Sequence, residues 1–352
     1  VRLTLRGANP LEWLALRAGV VPAAAAEAWG GMALSAVVIT AVQTGVTARL
    51  AERPSTAEEL AADLNLDPVP TRLLLDCLRS GRHVTVKAGR YRLTRSARRW
   101  LDPRSALSVA GYVAGTADYW TWWSTLDQVT RTGRPAGHHD APPGDPYWRR
   151  YIHGQLELAR LSAGEVAKSL ALPRNSRSLL DIGGGHGWYS AQLCRIHPGL
   201  HATVLDLPGS AAVGREIIAA AGMSGRVEHR DGDATNDDLP PTSDGSGYDA
   251  VLCFNLLHHL TAEQSVDLFA RVHDALAPGG TLAVMDAFAE PGHRSSAQAN
   301  VLGLFVYLSS GAQIHPPETL HRWLREAGFS APPRRIRILR IPGQAMYVAT
   351  KS

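Results

Sequence analysis

"LLDIGGGHGWYSAQLC", residues Leu179–Cys194, sets four glycines between an apolar run and a stretch with helical texture. That junction predicts a strand entering a helix through a tight turn. Glycine has no Cβ, so the backbone can turn sharply there and approach a ligand closely. Spacing excludes two ligand classes. The dinucleotide pattern G-x-G-x-x-G fails, because its third glycine position after Gly183 and Gly185 is Trp188. A G-x-x-x-x-G-K-[ST] phosphate loop is absent as well. What remains is D-x-G-x-G-x-G, with Asp181 on the strand just before the turn. A carboxylate there repels a pyrophosphate but can accept from a cationic ammonium.

From Ser178 onward short apolar runs alternate with helical patterns, the texture of a doubly wound α/β domain. Strands are expected at "SLLDI", "HATVLDL", "RVEHRDG", "DAVLCFN", "TLAVMDA", "RIRILR" and "AMYVAT". The last two follow each other without a helical pattern and predict a terminal hairpin with an antiparallel strand. Asp206 ends the second strand, where a carboxylate can accept both hydroxyls of a ribose. Asp233 and Ala234 follow the third strand and are placed for the exocyclic amine of an adenine. Leu207 and Asn255, beside these strand ends, complete the expected cofactor set. Acidic residues at consecutive strand ends, with no phosphate anchor, describe a positively charged nucleoside. S-adenosylmethionine fits that description.

The chain has 352 residues, more than one ordinary core needs, and is 45% hydrophobic and 19% charged, a globular composition. A formal charge of +4 does not by itself imply nucleic acid. Cys77, Cys194 and Cys253 are far apart, so neither a disulfide framework nor a structural zinc site is expected, which fits a reducing, cytoplasmic setting. The apolar stretch from Gly19 to Val46 is broken by Pro22, Glu27 and a glycine pair, and is expected as buried helices rather than a secretory or membrane segment.

Before the α/β region the pattern is helical. Ser55 or Thr56 can cap a helix carrying Glu58 and Glu59, Asp67 precedes a second, and "HVTVKAGRYRLT" alternates about a turn as a hairpin does. Helix–turn–helix followed by a hairpin is a winged-helix pattern. Residues 132–146 read as a loop and Tyr147 to Leu170 as a helix. The expected organisation is a helical, winged-helix-like domain over 1–105, a helical linker and pocket wall over 106–170, and a nucleoside-binding domain over 171–352.

Residues 178–290, with "LAPGGTLAVMD" before and through the fifth strand, resemble a class I S-adenosylmethionine-dependent methyltransferase. Preceded by a winged-helix-like part, that core is similar to the caffeate O-methyltransferase-like family and its bacterial antibiotic-pathway relatives. The resemblance covers about residues 10–350. It implies a Rossmann-like sheet, and N-terminal helices that interlock two subunits into a homodimer and supply one wall of an acceptor pocket. It also implies that Asp206 holds the ribose, Asp233 the adenine side, and Gly183 and Gly185 the methionine moiety.

Methyl transfer from a sulfonium is an in-line displacement in which positioning supplies much of the acceleration. A phenol must also lose its proton, which a neutral imidazole can take. Plant members of the family this chain resembles place a catalytic histidine after the fourth strand in L-H-D-W. "LLHHL" puts His258 at that position, His259 where the aspartate stands and Leu260 where the tryptophan does. Asp286, in "LAVMDAF", matches the carboxylate that flanks the histidine. The second family carboxylate, in a G-G-x-E-R-T loop, is missing, and Ile314 takes its place. His258 is accordingly expected as the general base or as a residue that merely lines the cleft, and His259 as incidental. Adjacent histidines with no further acid or histidine cluster do not make a metal site.

"DYWTWWSTLDQ" gathers Tyr119, Trp120, Trp122 and Trp123, which can fill a joint between domains or stack on a flat acceptor ring. By the resemblance "QANVLGLFVYLSSG" lines the acceptor pocket, with Asn300, Phe305 and Tyr307 as candidates. The expected activity is O-methylation of a hydroxyl on an aromatic secondary-metabolite intermediate. C- or N-methylation, or an oxidative or pericyclic step on the same scaffold, is the alternative. A DNA-binding regulator would use Arg72, Arg79, Arg82, Lys87, Arg90 and Arg92, but its recognition helix, "VPTRLLLDCLRSG", carries more Leu than base-reading side chains.

Overall fold

A computed structural model describes residues 9–135, 141–289, 297–341 and 343–352. The chain divides into two compact units, Val1–Trp120 and Thr121–Ser352. That division falls within the segment 106–170 expected as a linker. Its long helix, Pro146–Leu170, goes with the second unit because Ala159, Ala163, Val166 and Leu170 are buried in that unit's core. Part of the loop expected at 132–146 lies outside the described residues.

The first unit is mainly helical, with helices Pro10–Arg17, Ala23–Gln43, Val46–Glu52, Ala57–Leu64, Pro68–Ser80, Arg95–Leu101 and Ala110–Gly115. Thr56 caps its helix in a reciprocal box with Glu59, at 3.2 and 3.1 Å. Asp67 caps the next, whose Pro68 suits a first helical position. Strands β1 (Val84–Lys87) and β2 (Arg90–Leu93) pair antiparallel. Between them Ala88 and Gly89 have φ of 50° and 72°, as a two-residue type I′ turn requires. Leu50, Leu60, Leu75 and Leu78 form the centre of this unit, fully buried.

One expectation fails here. Helix Ala23–Gln43 is not buried: only Ile39 and Ala41 are, while Trp29 is 74% and Met32 57% exposed. The helix is apolar all round, so packing one side of it into the unit leaves an apolar side over. By length and composition alone it could also cross a bilayer.

The second unit is a seven-stranded sheet of β3 (Ser178–Ile182), β4 (His201–Asp206), β5 (Val227–Asp231), β6 (Tyr248–Phe254), β7 (Leu276–Ala287), β8 (Arg334–Ile336) and β9 (Gln344–Thr350), in the order β5-β4-β3-β6-β7-β9-β8. β3 to β7 are parallel, and β9 runs antiparallel between β7 and β8. Successive strand residues face opposite sides. Leu179 accordingly joins the core under Pro146–Leu170 and Trp188–Ile196, and Leu180 the core under Ala262–Ala275 and Pro317–Glu326. The sheet winds outward in both directions from β3 and β6, and the crevice between their ends is where such folds bind ligands.

The strand expected at 335–340 is cut short after Ile336. Farther along, the amides of Leu339 and Arg340 bond the Glu165 carboxylate at 2.8 and 3.1 Å. Phe269 is fully buried at the centre of one face. Phe269→Ala should destabilise the protein by about 3–5 kcal/mol in urea unfolding. A loss under ~1 kcal/mol would show that this face is not the tightly packed core described.

Candidate active site

Asp181 lies at the end of β3, 1% exposed, and accepts a 2.6 Å hydrogen bond from the Ser190 hydroxyl. The turn folds directly over it. A Cβ on Gly184 would stand 2.5 Å from the Asp181 carboxyl carbon, so the "GGG" run leaves room for a carboxylate and for nothing larger than hydrogen above it. Desolvation pushes the Asp181 carboxyl up to about 7, against the Ser190 bond and with Asp206 adding repulsion.

β4 brings Asp206 against the same turn, since Ile182 and Leu205 are paired in register. One Asp206 oxygen accepts from the Gly185 amide at 2.6 Å and the other from the Leu207 amide at 2.7 Å. Gly185 has a φ of +50°, a left-handed turn that glycine adopts without strain. Desolvation raises Asp206 to about 6 despite the amide donors. After β5, Asp233 is held by the Thr235 amide and hydroxyl at 2.9 and 2.7 Å and by the Asn236 amide group at 2.7 Å. Desolvation opposes these bonds, but they hold the Asp233 carboxyl below its ordinary value. The carbonyl of buried Ala234 accepts from Arg271 at 2.7 Å.

At the end of β6, Asn255 adopts a φ of +54°. Its amide donates to the Met285 carbonyl, and its side-chain oxygen accepts from Gln344, each at 2.7 Å. The short 3₁₀ turn Leu257–His259 follows, before Thr261 and Gln264 cap the next helix reciprocally. His258 Nδ1 lies 2.7 Å from an oxygen of Asp286, which is 2% exposed and also accepts from the Ala287 amide at 2.7 Å. Because an ionised carboxylate only accepts, Nδ1 carries the hydrogen and Nε2 is left as the basic nitrogen.

A cavity of about 460 Å³ opens above these strand ends, a size typical of small-molecule sites. Asp181, Gly183, Gly185, Asp206, Leu207, Asp233, Ala234 and Asn255, the whole set expected around a cofactor, line it together. The histidines divide differently from expectation. His259 is on the wall of this cavity, whereas His258 and Asp286 line a separate chamber of about 10 Å³ with Gln313, Ile314 and His315. In a 3₁₀ turn, at three residues per turn, neighbours project about 120° apart. The two rings still touch, with centroids 4.2 Å apart.

Of the expected acceptor residues in the second unit, Asn300 and Phe305 do not line the cavity of about 460 Å³. Trp120 belongs to the first unit and is 38% exposed, and Asn300 is exposed on helix Ala297–Ser310. Phe305 packs on Trp122 and Trp123, with centroids 5.7 and 5.8 Å away. The same helix reaches the cavity with Ser309 and Ser310 instead. Helix Pro146–Leu170 adds Trp148, Tyr151 and Gln155, which sequence reasoning missed. Their only signal is the helical pattern of that segment, which does not say which face meets a ligand. Among the described residues, no group of three or more His, Cys, Asp and Glu side chains is placed to hold a metal.

This sheet order, with a glycine turn and carboxylates at the ends of β3, β4 and β5, defines a class I S-adenosylmethionine-dependent methyltransferase. The cleft fits that cofactor: its floor is backbone without Cβ atoms, and its acids, Asp181 buried and Asp206 and Asp233 partly so, suit a cationic nucleoside. Residues 26–103 match the O-methyltransferase dimerisation domain and residues 139–330 the O-methyltransferase domain. The chain is 30% identical over 306 residues to 3-hydroxy-5-methyl-1-naphthoate 3-O-methyltransferase of Streptomyces sahachiroi, covering 85% of this chain and 87% of that protein. It is 30% identical over 305 residues to the tetracenomycin polyketide synthesis 8-O-methyl transferase TcmO of Streptomyces glaucescens, covering 84% and 88%. Human N-acetylserotonin methyltransferase, solved in complex with SAM, shares the fold with a TM-score of 0.82 at 20% identity, over 99% of this chain and 100% of that one. The chain belongs to this O-methyltransferase family and is an S-adenosylmethionine-dependent O-methyltransferase.

The raised Asp181 carboxyl makes a prediction about pH. A carboxyl with a folded value near 7 and an ordinary value of 3.8 keeps its proton in the folded state across that window. Its contribution to stability therefore falls as pH rises through the window. Asp181→Asn retains an acceptor for Ser190 and does not titrate. Without cofactor, the melting temperature of this variant relative to wild type should climb between about pH 5 and about 7.5. A difference independent of pH would place the Asp181 proton elsewhere.

Proposed function

We propose that the acceptor is a phenolic hydroxyl on an aromatic, polyketide-like intermediate of secondary metabolism. The printed activities of the two Streptomyces relatives, on a naphthoate and in tetracenomycin polyketide synthesis, support that class. S-adenosylmethionine supplies an electrophilic methyl group on a sulfonium, so the protein's tasks are positioning and proton removal. Asp206 is assigned to the ribose hydroxyls. Each of its oxygens has taken one backbone amide and has acceptor capacity left. Asp233 and Ala234 are assigned to the adenine edge, Asp181, Gly183 and Gly185 to the methionine part, and Leu207 and Asn255 to the enclosing wall.

His258 is assigned as general base with Asp286 orienting it. The observation that carries this, although His258 lines the chamber of about 10 Å³ and not the cofactor cavity, is the 2.7 Å contact from Nδ1 to a buried carboxylate, which leaves Nε2 as the basic nitrogen and would stabilise an imidazolium. Trp120, Asn300 and Phe305 carry no acceptor assignment from this geometry.

The dimerisation-domain match supports a homodimer, and we infer that the exposed apolar side of Ala23–Gln43 is the surface a second copy covers. Arg90, one of the cations a DNA-binding reading needs, is already bidentate on Glu59 at 2.6 and 2.8 Å. The three cysteines are unpaired, which supports a reducing, cytoplasmic setting.

Asp206→Ala should abolish S-adenosylmethionine binding in calorimetry, and an unchanged affinity would remove the nucleoside assignment. Among phenolic aromatic acceptors, one that turns over should lose a factor on the order of 10² or more in kcat with His258→Ala. A near-normal rate across pH would assign the reaction to positioning alone.

A further inference from the structure

His229 lies on β5, 6% exposed and outside the cavity wall, yet its Nε2 is 2.9 Å from the carbonyl oxygen of Gly185. A carbonyl can only accept, so Nε2 carries the hydrogen. Nδ1 is buried with no hydrogen-bond partner, which leaves that side with nothing to receive a proton's bond. The neutral Nε2–H tautomer is the one these contacts select.

The space around this ring is reserved by glycines. A Cβ on Gly187 would lie 3.0 Å from His229 Cε1. A Cβ on Gly214, in helix Pro208–Ala220, would lie 2.3 Å from both the Gly185 oxygen and His229 Nε2. Turn, helix and strand close on one imidazole at the back of the residue whose amide Asp206 holds at 2.6 Å.

We propose that His229 is a positioning residue for the cofactor: its Nε2–H bond to the Gly185 carbonyl, opposed to the Asp206 bond to the Gly185 amide, locks the turn in the form that receives the ligand. The inference rests on the reading that this cleft binds S-adenosylmethionine. Burial pushes the ring down to about 4 against the Gly185 bond, with Arg215 lowering it further and Asp231 raising it, and the buried His186 ring faces it from the turn. A neutral ring is what a single donated bond requires.

His229→Gln can present an amide N–H at about the same reach, and His229→Leu cannot. Calorimetry with S-adenosylmethionine and S-adenosylhomocysteine should show His229→Leu binding about 10-fold or more weaker, the loss of roughly one buried hydrogen bond. His229→Gln should recover to within about 3-fold of wild type. In turnover, KM for the cofactor should rise in His229→Leu while kcat at saturation stays near wild type. Undiminished binding by His229→Leu, or equal weakening in both variants, overturns the clamp. If wild type itself fails to bind, the cofactor reading falls with it, so the two failures are distinct. Nitrogen-15 NMR of wild-type histidines gives a test that needs no variant: an Nε2–H tautomer for His229 is expected, and an Nδ1–H tautomer would overturn the proposal.

Discussion

The hydrogen bond from the Gly185 amide to Asp206 ties together the three pieces on which the cleft depends. Parallel pairing of β3 and β4 sets Asp206 opposite the turn, and the 2.6 Å bond then fixes the direction of both. The other oxygen of the same carboxylate holds the Leu207 amide, directly before helix Pro208–Ala220. One side chain thereby closes a turn, ends a strand and steers the start of a helix. The helices on either side of β3 and β6 diverge at this point, so the closed backbone forms the floor of an open crevice.

The electrostatics of that floor are one-sided. Asp181 and Asp206 are both raised by desolvation, and what acts against it is a hydroxyl and backbone amides rather than a cation. The imidazoles nearby do not supply one, since burial lowers His186 to about 3 and His229 to about 4. A crevice whose acids lack a counter-charge favours a cationic ligand and disfavours a phosphate. The exclusion of phosphate loops from the glycine spacing and the burial of these acids describe the same preference at two levels.

What could be read from sequence was whatever backbone chemistry dictates locally. Alternating and continuous apolar runs marked each parallel strand, glycines and Asp181 marked the turn, and every residue expected around the cofactor lines the cavity of about 460 Å³. What could not be read depends on partners far along the chain. The expected strand through Arg340 stops at Ile336, and beyond it Glu165 takes the amides of Leu339 and Arg340. Trp148 reaches the cavity beside Gly209, where a Cβ would collide with the indole at 2.3 Å, a contact across sixty-odd residues that no local pattern announces. Helix Ala23–Gln43 was expected to be buried because it is apolar, but apolarity reports a need for cover and not which surface provides it. Motif position separated the two histidines in sequence, but which cavity each lines emerged only with the 3₁₀ turn, because an extended or α-helical continuation would aim them differently.

The missing second carboxylate bears on which acceptors the site suits. Ile314 lines the His258 chamber with Gln313, His315, Leu320 and Trp323, so Asp286 is the one carboxylate among its lining residues. Orientation then rests on a single 2.7 Å bond and on packing, including the His259 ring at 4.2 Å. One carboxylate stabilises an imidazolium less than two would, which would limit how hard a proton His258 takes in its proposed role as base. A phenol, with an ordinary pKa of about 10, gives up its proton far more readily than an aliphatic hydroxyl. The proposed one-carboxylate base would therefore suit a phenolic acceptor, and Ile314 in the acid's place and the aromatic acceptor class support each other on chemical grounds.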